Sequence, residues 1–364
     1  MIISRLLIQD FRNIGHLDLR PSETINIIHG PNGSGKTSVL EAISYLALGH
    51  SFRNANVHHL IKNDRDSFTL SAAVTQENGE HDTLGISRVR GKAKDLAISI
   101  NGARLPRLLD LVDRVCVQII HPDGYMLVSG TPDNRRGFLD WGVYYTEPDF
   151  KKNWIQYRRI LAQRNALLKS GGSNAQFEIW DGMLAELSES ITEMRQKYLD
   201  EIQDVMQDTL AMFLGGLKFR FTLSQGWENG KKLKEILKLN LEKDRVLGYT
   251  FYGCHRADLK IRVNQYPAGD TLSRGQIKLL VCAMRLSQGK ILQKMTGRKC
   301  IYLIDDLNSE LDSNSRRLLL DEISASSNQI FITNITRETS LPDNRDPSFI
   351  DMGTLRNAQA ETVY

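Results

Sequence analysis

Residues 25–43 read INIIHGPNGSGKTSVLEAI, and this stretch decides the fold. Ile25 to His29 is a short apolar run of the kind that forms a buried strand. It ends directly in a glycine-rich turn. After the turn, Val39, Ile43, Leu46 and Ala47 recur at helical spacing and give the next element one buried face. The unit is therefore strand, loop, helix. Gly30, Gly35, Lys36 and Thr37 satisfy G-x-x-x-x-G-K-[ST], with Pro31, Asn32, Gly33 and Ser34 completing the loop. Such a loop turns its backbone N–H groups onto phosphates, and the helix behind it offers the positive end of its dipole. Lys36 is expected to reach the β and γ phosphates of ATP, and the Thr37 hydroxyl to ligate Mg²⁺. A chance glycine-rich turn would not account for the strand before and the helix after.

A magnesium site needs a carboxylate at the end of a neighbouring buried strand, and CIYLID at 300–305 followed by Asp306 supplies one. Asp305 is the expected metal ligand. Asp306, one step on, is placed to polarise the water that attacks the γ phosphate; the alternative is an N-terminal charge before the next helix. Leu272-Ser273-Arg274-Gly275-Gln276 resembles the signature of ABC ATPases. Ser273 can cap a helix whose apolar face is Ile277, Leu280, Val281 and Met284, so its first N–H groups point outwards at an anion. In that family the anion is the γ phosphate held by a second copy, which implies an ATP-dependent homodimer. Asp312, in Ser309-Glu310-Leu311-Asp312, falls where the family's D-loop follows the Walker B strand. Three motifs in family order argue against coincidence.

The 364 residues, 41% hydrophobic and 25% charged, are enough for a sizeable core and two domains. A formal charge of +4 is compatible with a polyanionic partner without requiring one. Cys116, Cys254, Cys282 and Cys300 show no zinc-ligand spacing and read as reduced packing residues. No stretch approaches the roughly 18 apolar residues of a membrane helix, and the first residues lack the apolar segment of a secretory signal, so a cytoplasmic location is expected. Ile2 to Ile8 reads as a further strand, and Phe68 to Ile100 as a β-rich stretch closed by an Asn101-Gly102 hairpin turn. From about Asp133 to Leu214 long polar and charged helical patterns take over. Residues 151–169 hold six basic and no acidic side chains, while Glu186 to Asp208 is mostly acidic; Gly171-Gly172-Ser173 between them suggests a helical hairpin. After Gly253 the mixed strand and helix pattern of the N-terminal part resumes, with a helix from Arg274 and strands at 300–305 and 329–333 expected to complete the N-terminal sheet. The fold class is α/β, an ABC-type P-loop ATPase head with an inserted, mainly helical lobe. Its expected parts are 1–125, a P-loop and β-rich segment; 126–253, the lobe; and 254–364, carrying signature, Walker B and D-loop.

Phe11-Arg12-Asn13-Ile14, Gly49-His50-Ser51-Phe52-Arg53 and Arg135-Arg136-Gly137-Phe138-Leu139-Asp140-Trp141, with the signature and both Walker motifs, resemble the RecF family of bacterial recombination mediators, related to the Rad50 and SMC ATPases. The likeness spans nearly the whole chain, and transporters do not carry the first three segments. It implies an ATP-dependent dimer that binds duplex DNA, single-stranded DNA and gap junctions. It also implies work with RecR and RecO that directs RecA onto gapped DNA, supporting repair, replication restart and the SOS response. Carried onto this chain, Gly30 to Thr37, Ser273, Gly275, Gln276, Asp305, Asp306 and Asp312 form the nucleotide site. Arg12 and Asn13 match positions that in the wider family lie near the nucleotide, and Arg53 matches a loop arginine that links DNA to ATP turnover. Gln118 is either the Q-loop Mg²⁺ ligand or a structural glutamine.

Two departures stand out. Gly253-Cys254-His255-Arg256 replaces the family's Gly-Pro-His-Arg, and Asn334-Ile335-Thr336 follows a strand where many ABC proteins place a switch histidine. Without that sensor, hydrolysis is expected to be slow. DNA would be held through phosphates, with Arg88, Arg90, Lys92 and Lys94 on the hairpin and Arg158, Arg159 and Arg164 in the basic helix as candidates; a solvated face is the plainer reading of each run. A nucleotide switch acting on a protein or membrane partner is the competing function. A transporter subunit would need the switch histidine, an overcoming-lysogenisation-type nuclease an appended acidic metal domain, and a full SMC or Rad50 protein long heptad arms.

Overall fold

The computed structural model describes residues 1–53, 56–90, 96–307, 311–336 and 347–354. In chain order the strands are β1 (Ile2–Phe11), β2 (Ile14–Leu19), β3 (Ile25–His29), β4 (Ser67–Thr75), β5 (His81–Val89), β6 (Leu96–Ile100), β7 (Ala103–Leu105), β8 (Val117–Ile120), β9 (Phe219–Ser224), β10 (Asp258–Val263), β11 (Tyr266–Pro267), β12 (Ile301–Ile304), β13 (Ile330–Asn334) and β14 (Ser348–Asp351). The helices are α1 (Lys36–Leu48), α2 (Leu109–Val112), α3 (Met126–Ser129), α4 (Pro132–Thr146), α5 (Phe150–Ser170), α6 (Asn174–Phe213), α7 (Leu233–Leu239), α8 (Leu241–Leu247), α9 (Ala268–Thr271) and α10 (Arg274–Thr296), followed by a helix at Ser313–Ala325. They group into two compact units, Met1–Gly124 with Gly297–Tyr364, and Tyr125–Thr296.

The first unit holds two sheets. One is parallel, in the order β14-β3-β13-β12-β8, and the other antiparallel, β2-β1-β4-β5-β6-β7. Burial pattern separates them. Every residue of β3, β12 and β13 is buried, as expected of parallel strands covered on both faces, whereas β4 alternates at every position. Helix α1 lies against strands of both sheets and is buried from Ser38 to Ala47. Its Tyr45 meets Phe68 edge-on at 5.4 Å, and Phe68 meets Phe11 at 5.1 Å, so an aromatic cluster ties α1 to the antiparallel sheet. The expected strands at 25–29, 300–305 and 329–333 do share one sheet. The first strand does not join it, because β1 pairs with β2 and β4 instead. Asn101 and Gly102, at φ 51° and 80°, close the β6–β7 hairpin with the left-handed pair that a type I′ turn requires.

In the second unit α5 and α6 form the expected hairpin. Gly171 ends α5 in the left-handed region at φ 79°, and Ser173 and Gln176 cap α6 reciprocally at 3.4 and 2.9 Å. Two buried arginines and one half-buried one are each matched to carboxylates: Arg195 to Asp140 at 2.7 Å, Arg164 to Asp181 at 2.6 Å and Asp244 at 2.7 Å, and the half-buried Arg135 to Asp258 at 2.6 Å. Residues 254–296, read from sequence with the C-terminal ATPase part, group here, because α10 packs along α6 and α4. All four cysteines are buried, and none forms a disulfide among the described residues. Among the described residues no helix is long and apolar enough to cross a membrane.

Candidate nucleotide site

At the C-terminal ends of β3, β12 and β13 the first unit opens a cavity of about 630 Å³, large enough for a nucleotide. Arg12, Asn13, Asn32, Gly33, Gly35, Lys36, Thr37, Ser38, Asp305 and Asp306 all line it, so segments more than 250 residues apart in sequence converge as the motifs require. Gly35, at φ 105°, turns the chain into α1 in a conformation that L side chains rarely adopt. A Cβ there would also stand 3.3 Å from Asn13 Oδ1 and from Ile14 Cγ1. Asn13 braces the loop in turn, donating from Nδ2 to the Gly33 carbonyl at 2.8 Å while Ser38 Oγ donates to its Oδ1 at 2.8 Å.

Lys36 Nζ donates to the Gly30 and Pro31 carbonyls at 2.7 and 3.0 Å. Burial lowers its pKa, and the carboxylates of Asp306 and Asp305 pull it back up. The two bonds to loop carbonyls aim Nζ into the loop that loops of this type wrap around phosphate. Thr37 Oγ1 and Thr333 Oγ1 both donate to Asp305 Oδ1, at 2.8 and 2.7 Å, while the Asp306 N–H donates to Thr333 Oγ1 at 2.9 Å. The group offers hydroxyl and carboxylate oxygens only, the donor chemistry that suits Mg²⁺. Asp306 adopts φ 53°, a left-handed backbone that costs energy outside glycine, and it lines the cavity.

Several expected residues have different surroundings. Gln118 is 1% exposed in the middle of β8, level with Tyr302, three residues before Asp305, and is not among the residues that line the cavity. Arg12 lines the cavity, yet its guanidinium is held by Glu41, with Nε and Nη2 donating to the two carboxylate oxygens at 2.9 and 2.6 Å. Arg12 also adopts φ 56° and donates from Nη1 to the His59 carbonyl at 2.8 Å. Glu41 is fully buried, and no motif in the sequence singles it out. It also accepts from Ser51 Oγ, whose oxygen receives the Arg53 N–H at 2.9 Å, and it stands 3.9 Å from the Arg53 guanidinium. Arg12, Ser51 and Arg53, from two segments that carry the family likeness, thus meet on one carboxylate. Thr333 is likewise absent from the sequence reading, although its place at the end of the strand beside Asp305 was the available signal. Asn334 and Ile335 line the cavity in the place expected of a switch histidine.

The signature lies in the second unit. Ser273 and Gln276 form a capping box, the Gln276 N–H donating to Ser273 Oγ at 3.3 Å and the Ser273 N–H to Gln276 Oε1 at 3.0 Å. Ser273, Arg274 and Gly275 are exposed, and a Cβ on Gly275 would meet nothing within 4 Å, so the start of α10 is open to a ligand. Asp312 caps the helix Ser313–Ala325, accepting from the Asn314 and Ser315 N–H groups and from Ser315 Oγ, and that hydroxyl leads in holding its pKa low.

Of the candidate DNA cations, Lys92 and Lys94 fall outside the described residues. Arg88 donates to Tyr45 Oη at 3.2 Å, and Arg90 is exposed while bonding the Arg65 and Lys62 carbonyls. Arg158 and Arg159 are exposed on α5. Arg164 is 0% exposed, its Nε held by Asp181 and its Nη1 by Asp244 and Thr250, and this burial removes it as a DNA contact.

Residues 2–345 match the model of the RecF/RecN/SMC N-terminal domain. A Vibrio cholerae DNA replication and repair protein RecF is 41% identical over 352 residues, 96% of each chain, and that of Shewanella pealeana is 40% identical over 335 residues, 92% of each. The solved structure of the recombination mediator protein RecF with ATP, from the RecFOR pathway, superposes with a TM-score of 0.86 at 26% identity, covering 97% of this chain and 96% of that one. An Smc head bound to the C-terminal winged-helix domain of ScpA gives 0.57 at 16% identity over 93% of this chain and 90% of that one, a likeness of fold alone. The architecture is that of an α/β ABC-type ATPase head.

Proposed function

This chain belongs to the RecF family of DNA replication and repair proteins, and on that premise we propose that it is an ATP-gated, DNA-binding recombination mediator. The observation that carries the reading is the cavity where Lys36, Thr37, Asp305 and Asp306 converge around a phosphate-binding loop. Lys36 would exchange two loop carbonyls for nucleotide phosphates. Thr37 and Asp305 would hold Mg²⁺, which supplies charge neutralisation for the β and γ phosphates when bound. The open, capped start of α10 supports a second role, in which Ser273 and Gly275 of one copy receive the γ phosphate held by another, so that ATP assembles a homodimer.

Asp306 is the residue proposed to orient the attacking water. With Asn334 in the place of a switch histidine, hydrolysis would be slow, as suits a clamp that must persist on DNA until it is released. Duplex and gapped DNA would be held by phosphate contacts without base readout. RecR and RecO are the proposed partners, with RecA loading downstream. The test is sedimentation of the protein with gapped duplex DNA, with and without ATP and Mg²⁺, beside Lys36→Arg and Ser273→Arg. ATP-dependent dimers that retain DNA, lost in both variants, are expected. Dimers that never retain DNA at low salt would overturn the DNA reading in favour of a switch facing a protein.

A further inference from the structure

The sheet β11-β10-β9 buries one face. Phe219, Phe221, Leu259, Ile261 and Val263 point into the core, so the residues between them face out by alternation. Those residues are Arg220 and Thr222 on β9 and Lys260 and Arg262 on β10, with Lys218 one step before β9; all five are exposed. The antiparallel register sets Arg220 directly opposite Arg262 and Thr222 opposite Lys260. Like charges placed opposite each other across a strand pair destabilise it, and no carboxylate among the described residues pairs with Arg220, Arg262 or Lys218 to relieve them. Asp258 is taken by Arg135 at 2.6 Å and Lys260 at 2.8 Å. Asp270 lines the same depression of about 340 Å³ as Lys260 and Arg262 but makes no ion pair among the described residues.

We infer that this face is a docking surface for the phosphodiester backbone of nucleic acid, with Arg220 and Arg262 straddling one strand of it. The inference rests on the DNA-binding function proposed above and adds the surface. Two features favour nucleic acid over an acidic protein. Side chains at i and i+2 stand about 6.7 Å apart along a strand, a repeat comparable with successive phosphates on an extended chain. The outward positions of β9 and β10 also carry no aromatic or large apolar side chain, which the centre of a protein interface would supply and a backbone contact does not need. Without stacking groups the surface grips any sequence alike.

The experiment is fluorescence anisotropy of labelled gapped duplex with the full chain, ATP and Mg²⁺ across a salt series. It compares the native protein with Arg220→Gln/Arg262→Gln and Arg220→Lys/Arg262→Lys. Each lost phosphate contact removes about 0.9 from the slope of log affinity against log salt, so the glutamine pair should flatten it by about 1.8. The lysine pair should keep the native slope. Thermal unfolding should show the glutamine pair at least as stable as the native chain, since a repulsion has been removed. An unchanged slope in the glutamine pair, with native protein binding DNA, overturns the surface and leaves the DNA function standing. A glutamine pair that loses DNA only by unfolding earlier also overturns it. Native protein that binds no DNA at any salt sinks both.

Discussion

Replacing Arg164 by methionine separates the two uses of a cation in this protein. The side chain is fully buried, its Nε donating to Asp181 at 2.6 Å and its Nη1 to Asp244 at 2.7 Å and to Thr250 at 2.9 Å. Methionine keeps much of the volume and leaves two carboxylates without a counterion. Removing one partner of a buried ion pair costs about 3–5 kcal/mol. For a unit the size of Tyr125–Thr296 each kcal/mol lowers the midpoint by about 2–4 °C, so its thermal unfolding should come roughly 6–20 °C earlier. The loss carries a pH signature. Burial already raises the Asp181 pKa against the pull of Arg164, and without the guanidinium it rises further. A carboxyl whose folded pKa is raised is penalised as pH climbs through it, so the deficit at pH 8 should exceed that at pH 5. Asp181→Asn in the same background should recover part of the loss. Because the guanidinium never reaches solvent, the salt dependence of DNA binding should not move. An unchanged midpoint together with a flattened DNA salt slope would refute the structural assignment.

His255 gives a second pH dependence. Its Nε2 faces the Thr250 carbonyl at 3.1 Å and must carry the proton, so Nδ1 accepts from Tyr157 Oη at 2.5 Å, and burial lowers the ring's pKa to about 4. A depressed folded pKa gives stability that is present above the ordinary value of 6.5 and lost as pH falls through the folded one; about 3 kcal/mol should disappear between those limits, and His255→Gln should flatten that part of a midpoint-against-pH curve. Glu41→Gln removes the charge that fixes Arg12 and leaves one of its two bonds unmade. Titration with a fluorescent ATP analogue should show affinity weakened about tenfold, the value of one charge-assisted bond, and unaltered affinity would mean that Arg12 does not serve the nucleotide.

Local chemistry made most of the first unit legible. Five residues of continuous apolar character before a glycine-rich turn specify β3, and α1 begins at Lys36 because the loop glycines allow it nowhere earlier. The destination of β1 was less plain, yet its composition held a clue. IISRLLIQDF mixes polar and apolar positions and is buried only in part, the signature of a half-covered antiparallel strand, whereas INIIH is buried throughout. β2 and β14, of six and four residues, are too short to show a periodicity of their own. The grouping of residues 254–296 with the helical unit depends on α10 lying along α6, a long-range packing that no local pattern announces. Glu41 shows the same limit inside the site. Its carboxylate is anchored by residues 29 positions before it and 10 after, and only the fold brings them together.

The cations mark that limit most sharply, because their roles are invisible to a count of charge. Residues 151–169 hold six basic side chains, and read as a run they look like one electrostatic face. Wound into α5 they divide. Tyr157, Ile160, Arg164 and Leu168 are the buried positions at spacings of three and four, so Arg164 lies on the apolar stripe, while Arg158 and Arg159 turn to solvent. An arginine on such a stripe must find a carboxylate, and Asp181 and Asp244 sit 17 and 80 residues away to receive it. The converse holds on the sheet. Arg220 and Arg262 are 42 residues apart and belong to no charge run, yet the register sets them face to face, without a counterion among the described residues. A polyanion is held by cations that the fold has left uncompensated. By that measure Arg220, Arg262, Arg158 and Arg159 are available to phosphate, and Arg135, Arg164 and Arg195 are spent on the fold.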